Sequence, residues 1–370
     1  MTQKQPIKKP LIINNVNLSL DNSLLTLATN KGYQIYNSLT HKKISFYPKA
    51  GALSFANTFY KSQLIFFIGT ETNKVFQPTK FVIWDDSKKK KKGILELKTL
   101  ITNCFVSDNI IFLFTKETLL LFELTTLSYI NSFTNLYYHK NSKTYSITPL
   151  NAIAFITKDE ISKVKIRLFE LADKKKINVR KIDIQTNFNF IQGVHLSDNL
   201  KYLAAITFLG NKVHVYEVKS KNLAMCFFLG NIMSTIRHIS FDLKEKYLLI
   251  LRNEAEEFGK LSLLKIENFK KECDCDKHND NDVLEKEKNK EERNFFSLWI
   301  DEMKDKFFSS EKGDLMYDEI EVNNVKNIIY INFNKICKNE IEFIESNGAY
   351  KKVKFDRKIN NKMHYIKSIW

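Results

Sequence analysis

Glycine, proline and cysteine are all scarce in this chain: 10 Gly, 5 Pro and 5 Cys among 370 residues. So little Gly and Pro excludes collagen-like and low-complexity classes and leaves little material for a phosphate-cradling glycine loop. Five cysteines are too few for a disulfide scaffold and fit a reducing compartment. Long apolar runs are missing as well. No stretch approaches the ~18 residues needed to cross a bilayer, and the longest runs, such as Leu64–Ile68 and Leu119–Phe122, are strand-sized. The N-terminal segment has no uninterrupted apolar core of a secretory signal. These absences lead to the expectation of a soluble, cytoplasmic protein.

Enzyme signatures are absent too. The chain contains no GxxxxGK[ST], HExxH or GxSxG pattern, so neither the phosphate cradle, the zinc-protease helix nor the nucleophile elbow is expected. Seven His residues are scattered. Cys273, Cys275 and His278 form a C-x-C-x-x-H pattern that lacks a fourth zinc ligand, so it reads as a polar loop with two incidental thiols. No catalytic residue, cofactor or metal is expected.

What the chain does have is apolar mass and positive charge. Hydrophobic residues make up 44% and aromatics 13%, with 29 Phe, enough for a large core. The net charge is 58 − 42 = +16, which favours acidic partners: nucleic acid, an anionic membrane or an acidic protein. No nucleic-acid module with interleaved stacking aromatics is present, so nucleic acid is not expected. The run Lys88–Lys92, at the tip of a hairpin, reads either as a contact for an acidic partner or membrane or as a solvated turn.

Internal repetition organises the chain. Asp21-Asn22, Asp108-Asn109 and Asp198-Asn199 each precede a β-rich run, a short turn and a second β-rich run. Their spacings are 108 − 21 = 87 and 198 − 108 = 90, and half of either is about 44, the length of a four-stranded propeller blade. Intermediate repeats fall where this period places them, near Lys61, Leu150 and Asp242, and a last one begins at Asn339. A β-sandwich pair is the rival, but an even period argues for blades. The expected fold is all-β: a single seven-bladed propeller over residues 1–370, a monomer, with a basic tail at 356–370.

The interval 339 − 242 = 97 exceeds one repeat by about 53 residues, so the sixth blade carries a long insertion, residues 271–316. Its first part, 271–293, holds 9 acidic and 6 basic residues and reads as a disordered acidic loop. Residues 294–308 read as an amphipathic helix. At ~100° per residue, Phe296, Trp299, Ile300, Met303 and Phe307 share one arc, and Phe295 and Phe308 flank it. Such a stripe suits a membrane interface, a partner's groove or the propeller's own surface.

The segments Leu24–Tyr36 and Leu203–Tyr216 resemble the first- and fifth-blade patterns of the PROPPIN family, seven-bladed propellers that bind polyphosphoinositides. The resemblance implies a non-enzymatic peripheral membrane scaffold of autophagy or endolysosomal trafficking. Its partners would be phosphoinositide-containing membrane and autophagy or trafficking proteins, with the sixth-blade loop entering the membrane through Phe295, Phe296, Trp299, Ile300, Met303, Phe307 and Phe308. In that family a Phe-Arg-Arg-Gly motif closes the fifth blade and serves two headgroup sites. Here the matching residues are Phe227-Phe228-Leu229-Gly230, with both arginines gone. The fifth-blade Ser, Thr and Arg positions fall on Thr207, Asn211 and His214, and the sixth-blade His falls on Ser262. Arg237, His238, Lys212 and Lys219, nearby in sequence, are the candidate substitute cations. Apolar Phe228 and Leu229 cannot make the bidentate charge-assisted bonds that phosphate recognition uses. Weakened or altered headgroup binding is therefore expected; the alternative is a propeller that has lost lipid binding and docks only proteins.

Overall fold

The structure is a computed structural model that describes residues 10–137, 144–172, 176–186, 188, 190–207, 209–230, 234–242, 244–253, 258–266, 317–323, 328–333, 340–347, 349–355 and 363–366. The expected acidic loop 271–293 and amphipathic helix 294–308 lie outside the described residues, as do Cys273, Cys275 and His278.

The repeat begins with a local device. Ser19, at the end of one strand, accepts the N–H of Leu24 at the start of the next, 3.0 Å away. Ser107 does the same for Ile110 at 3.2 Å and Ser197 for Tyr202 at 3.0 Å. In the sixth repeat Asp242 replaces the serine, its Oδ1 accepting from Lys246 and Tyr247 at 2.6 and 2.8 Å. The Asp-Asn pairs seen in the sequence lie in these turns, where a short polar side chain satisfies backbone N–H groups that the hairpin leaves unpaired.

Seven four-stranded antiparallel sheets follow in chain order. Blade 1 comprises β1 (Ile13–Leu18), β2 (Leu24–Thr29), β3 (Gly32–Asn37) and β4 (Lys43–Tyr47); blade 2 comprises β5 (Leu53–Thr58), β6 (Leu64–Gly69), β7 (Lys80–Asp85) and β8 (Lys90–Glu96). Blade 3 holds β9 (Asn103–Val106), β10 (Ile110–Phe114), β11 (Leu119–Glu123) and β12 (Tyr129–Phe133). Blade 4 holds β13 (Tyr145–Ile147), β14 (Ala152–Thr157), β15 (Glu160–Ala172) and β16 (Lys176–Gln185). Blade 5 runs β17 (Ile191–Leu196), β18 (Tyr202–Thr207), β19 (Lys212–Glu217) and β20 (Leu223–Phe228). Blade 6 runs β21 (Thr235–Phe241), β22 (Tyr247–Asn253), β23 (Phe258–Lys265) and β24 (Tyr317–Asn323), and blade 7 runs β25 (Ile328–Phe333), β26 (Glu340–Glu345), β27 (Tyr350–Phe355) and β28 (Met363–Ile366). The fold is thus the expected all-β seven-bladed propeller. The long connection of blade 6 joins its third and fourth strands, which pair from Leu264↔Tyr317 to Phe258↔Asn323. Strand β28 falls within the segment expected as a basic tail; pairing Lys352↔Ile366 through Phe355↔Met363, it completes blade 7.

The second strands explain why the core exists. In β6, Ile65 and Phe67 pack toward blade 1, whereas Phe66 and Ile68 pack toward blade 3. In β18, Leu203 and Ala205 face blade 4, and Ala204 and Ile206 face blade 6. In β22, Leu248 and Ile250 face blade 5, and Leu249 and Leu251 face blade 7. A strand buried on both faces reads as a continuous apolar run, and each blade thereby shares one apolar cluster with each neighbour. First strands of neighbouring blades touch at several junctions: β1 meets β5 and β25, and β17 meets β13 and β21. There, side-chain amides reach across: Asn14 donates to the Leu53 carbonyl at 2.7 Å and Asn17 to the Ala56 carbonyl at 2.9 Å.

The ring closes by packing. Among the described residues, blades 1 and 7 exchange no strand. Ile13, Val16, Leu25 and Leu27 pack on Ile344 and Tyr350, and the Ile13 N–H donates to the Ser346 carbonyl at 3.0 Å. The His41 ring packs against Tyr350 at a tilt of 52°, with ring centroids 4.6 Å apart.

Blades 1 and 2 are also tied by a charged clamp. Asp86 accepts from Tyr33, Lys89 and, at 2.9 Å, Ser45. Burial pushes the Asp86 carboxyl up, but these donors outweigh it and hold the group below its ordinary value. A carboxylate with a lowered pKa contributes stability above its unfolded pKa and loses it as pH falls through the folded one. The expected outcome is that acidification below pH 3.8, the ordinary aspartate value, destabilises the parent more than Asp86→Asn, measured by urea unfolding at pH 7 and pH 3. Equal losses in both proteins would show that the clamp does not act.

Candidate functional site

The residues marked by the resemblance lie on blades 5 and 6. Thr207 ends β18, and its hydroxyl donates to Asn211 Oδ1 at 2.8 Å while accepting the Lys212 N–H at 3.2 Å. Gly210 occupies this turn at φ +68°, where an added Cβ would overlap the Ser234 carbonyl. The Ser234 hydroxyl in turn donates to the Gly210 carbonyl at 3.1 Å. The same closure recurs elsewhere: Thr29 accepts the Lys31 N–H and donates to the Gly32 carbonyl in blade 1, and Thr115 accepts the Thr118 N–H in blade 3. The Thr207 hydroxyl therefore serves a turn device shared by blades of this ring, with Asn211 Oδ1 as its acceptor.

His214 lies in the interior. It is 3% exposed, its ring centroid sits 4.0 Å from that of Phe188, and its Nδ1 lies 3.2 Å from the Tyr216 hydroxyl. Phe188 and Tyr216 belong to the apolar cluster between blades 4 and 5. The Phe227-Phe228-Leu229-Gly230 segment divides by side. Phe227 and Leu229 are buried in the cluster between blades 5 and 6, Leu229 at 2% exposure. Phe228 is half-buried and registers against Lys212. Gly230 sits at φ +116° with open space around its Cβ direction. Ser262 is fully buried.

Arg237 has a structural position. The first strands of blades 1, 2, 5, 6 and 7 carry a β-bulge at the same point, and the extra residue is Asn14, Ser54, Gln192, Arg237 or Ile329. In blade 5 the Gln192 side chain clasps the next blade, donating to the Ser234 carbonyl at 3.2 Å and accepting the Ile236 N–H at 2.9 Å. Arg237 occupies that position in blade 6, half-buried, and its Nε is buried without a hydrogen-bond partner among the described residues.

Sequence reasoning missed two cations here. Arg252 is fully buried at the end of β22, and Lys260 lies directly across from it in β23, in the row Ile236↔Arg252↔Lys260. The available signal was a charged residue continuing the apolar run of Tyr247–Leu251. Blade 6 thus gathers Arg237, Arg252 and Lys260 at one end, while the Phe228 and Leu229 positions supply no charge. Among the described residues, no group of three or more His, Cys, Asp or Glu could hold a metal ion, and no helix is long and apolar enough to cross a membrane.

This architecture is that of a seven-bladed β-propeller with a long connection between the third and fourth strands of blade 6. It is similar to the structure of Hsv2 from Kluyveromyces lactis, with a TM-score of 0.68 and 14% identity over 97% of this chain and 98% of that one. That Hsv2 structure contains its complete loop 6CD. It is also similar to Atg21 (KlAtg21) in a complex with the coiled-coil of AgAtg16, with a TM-score of 0.63 and 14% identity over 96% of this chain and 98% of that one. At these identities the likeness establishes the fold. In sequence, a stretch of 113 residues is 27% identical to SVP1-like protein 2 of Schizosaccharomyces pombe, spanning 30% of this chain and 31% of that protein. No family model matches the chain.

The turn role of Thr207 makes a sharp expectation. Thr207→Val and Thr29→Val should each cost about 1 kcal/mol in urea unfolding, since each removes one turn-closing hydroxyl. A loss of anion binding in Thr207→Val with unchanged stability would contradict the shared structural role. The two motif positions should also differ. Phe228→Arg, half-buried, should fold and gain binding to anionic vesicles. Leu229→Arg should unfold at lower urea, because it buries a charge in an apolar cluster. Equal stability of the two variants would refute that division.

Proposed function

We propose that this propeller is a non-enzymatic, PROPPIN-like scaffold that attaches peripherally to membrane and binds phosphoinositide headgroups weakly or in an altered way. The single observation that carries the reading is the fate of the motif positions. Within a propeller whose whole chain follows Hsv2, Leu229 is packed into the core, His214 is an interior histidine, and Thr207 and Asn211 bond to each other. Phosphate recognition in water-exposed sites depends on charge-assisted donors, and these positions present none. Residual headgroup affinity would rest on the half-buried Arg237 and Lys260 of blade 6.

Membrane attachment in this reading comes from the blade 6 insertion through Phe295, Phe296, Trp299, Ile300, Met303, Phe307 and Phe308, aided by the positive charge of the ring. Trp and Phe are favoured at the headgroup boundary. An autophagy or trafficking setting is proposed on the likeness to Atg21 and Hsv2.

A second reading has its own support. The same burial of His214 and Leu229 suits a propeller that has lost lipid binding and docks proteins only; a propeller of this fold does hold a protein partner in the complex of KlAtg21 with the coiled-coil of AgAtg16. Flotation on vesicles with and without phosphatidylinositol 3-phosphate separates the two. The expected result is weak flotation of the parent, little increased by the phosphoinositide and reduced in Trp299→Asp. Equal flotation of parent and Trp299→Asp would remove the insertion claim, and no flotation at all would select the protein-only scaffold.

A further inference from the structure

The outer edge of blade 1 carries two kinds of side chain that rarely share a free strand edge. Its outermost strand, β4, pairs with no strand beyond it among the described residues. Lysines on such an edge keep other strands away, and Lys42 and Lys43 are exposed here. Yet the same segment exposes Leu39 at 59%, Ile44 at 58% and Phe46 at 40%, and large apolar groups on an edge do the opposite of protecting it. Ile44 is the extra residue of a bulge in β4, between the pairs Ser45↔Ile35 and Lys43↔Tyr36. A bulge re-aims side chains, because an added residue breaks the in-out alternation of the pleat.

The lysine run of blade 2 lies against this edge. Asp86, in the turn that carries the run, accepts the Ser45 hydroxyl of β4 at 2.9 Å. Lys89 Nζ sits 5.2 Å from the centroid of the Tyr47 ring, also in β4. Toward blade 7, where Tyr36 packs, Lys43 lies over the rings of Tyr36 and Phe46 at 5.7 and 5.5 Å. Cations therefore flank the apolar edge on both sides. Lys42, Lys43 and Lys88–Lys92 are seven exposed lysines. Asp85 and Asp86 are the acids of this turn, largely covered and paired with Lys92 and Lys89, which leaves 7 − 2 = 5 positive charges.

We propose that the outer edge of blade 1, with the lysine run of blade 2, is a contact for anionic membrane that acts independently of the blade 6 insertion. Leu39, Ile44 and Phe46 are the apolar groups that enter the boundary between headgroups and acyl chains. Lysine stems lie along apolar surface while their ammonium groups stay in the headgroup layer, and a cluster of lysines is drawn to acidic lipid. A protein partner suits this surface less well, since lysine is depleted at protein–protein interfaces. Each lysine is a hydrated point charge with no fork to fix a partner's geometry. A fluid acidic surface needs no fixed geometry, because its lipids move to the charges. For the same reason the contact reads charge, and phosphatidylserine serves it as well as any phosphorylated headgroup of equal charge.

The test uses the full chain and phosphatidylcholine vesicles with and without phosphatidylserine. Co-sedimentation gives the affinity, and acetylation of lysines read by mass spectrometry gives the surface that is covered. Binding to the phosphatidylserine vesicles is expected to weaken with salt and to fall about tenfold in Lys90→Glu with Lys91→Glu. Ile44→Ser with Phe46→Ser should weaken it several-fold, and Leu150→Ser, an exposed site on blade 4, should leave it unchanged. Thermal unfolding of each variant at the parent's midpoint secures the comparison. Vesicles should protect Lys42, Lys43 and Lys88–Lys92 from acetylation and leave the exposed Lys74 and Lys116 reactive. Protection that persists in Trp299→Asp supports the inference even where the blade 6 insertion fails. Unchanged affinity of both double variants overturns it, as does bound protein whose Lys88–Lys92 stay reactive; the latter, with binding lost in Trp299→Asp, leaves the insertion standing. Protection of the same lysines by a soluble acidic peptide of Glu and Ser, and not by vesicles, would make this a protein-docking surface and also overturn it.

Discussion

Everything in this molecule depends on strands that are apolar on both faces. A blade cannot hide such a strand alone; its two sides need two neighbours. Phe66 and Phe67 are consecutive residues, yet one packs toward blade 3 and the other toward blade 1. Repeated around the ring, this requirement leaves a blade stable only between two others, and the ring must close. Closure here uses the same means as every other interface. Ile13 and Leu27 meet Ile344 and Tyr350 as side chains, with one backbone bond from Ile13 to Ser346 added. The burial that makes each blade also makes the seam.

That constraint explains the candidate site. Between blades there is little room for a polar group that is not used. Thr207 and Asn211 look like ligand residues in a linear reading, but they bond to each other in a turn, and the Gln192 side chain clasps the next blade. His214 occupies the place of an apolar ring against Phe188. Leu229 suits the interface between blades 5 and 6 better than a charged residue would, because it joins the cluster with Ile250 and Leu264. What this chain keeps as cations at that end of blade 6, Arg237, Arg252 and Lys260, is set by strand register instead of by a contiguous motif. The propeller's remaining positive charge is displayed elsewhere, including the exposed Lys42, Lys43 and Lys88–Lys92 of blades 1 and 2.

Much of the fold was legible in the chain. The turns recur because Ser19, Ser107, Ser197 and Asp242 each satisfy N–H groups of the following strand. Such local chemistry leaves a spacing that can be counted. The apolar runs mark second strands because double burial removes alternation. Less of the site was legible. Burial of His214, the bulge at Arg237 and the pairing of Arg252 with Lys260 depend on residues distant in sequence, and a bulge shifts which side chains share a face. The strand Met363–Ile366 was hidden inside a basic stretch because outer strands face water on one side and carry little apolar signal.

The sequence by itself determined the blade: its period, its turn chemistry, the doubly apolar strand and the count of seven, together with the long insertion in the sixth. These follow from local hydrogen bonds and side-chain alternation, which act over a few residues. Only the tertiary structure decided how the ring closes, which polar residues are spent inside it, and that Asp86 of blade 2 is held by Tyr33 and Ser45 of blade 1. Those outcomes depend on which blade faces break the surface and which are pressed together, a matter of contacts between segments that no spacing along the chain encodes.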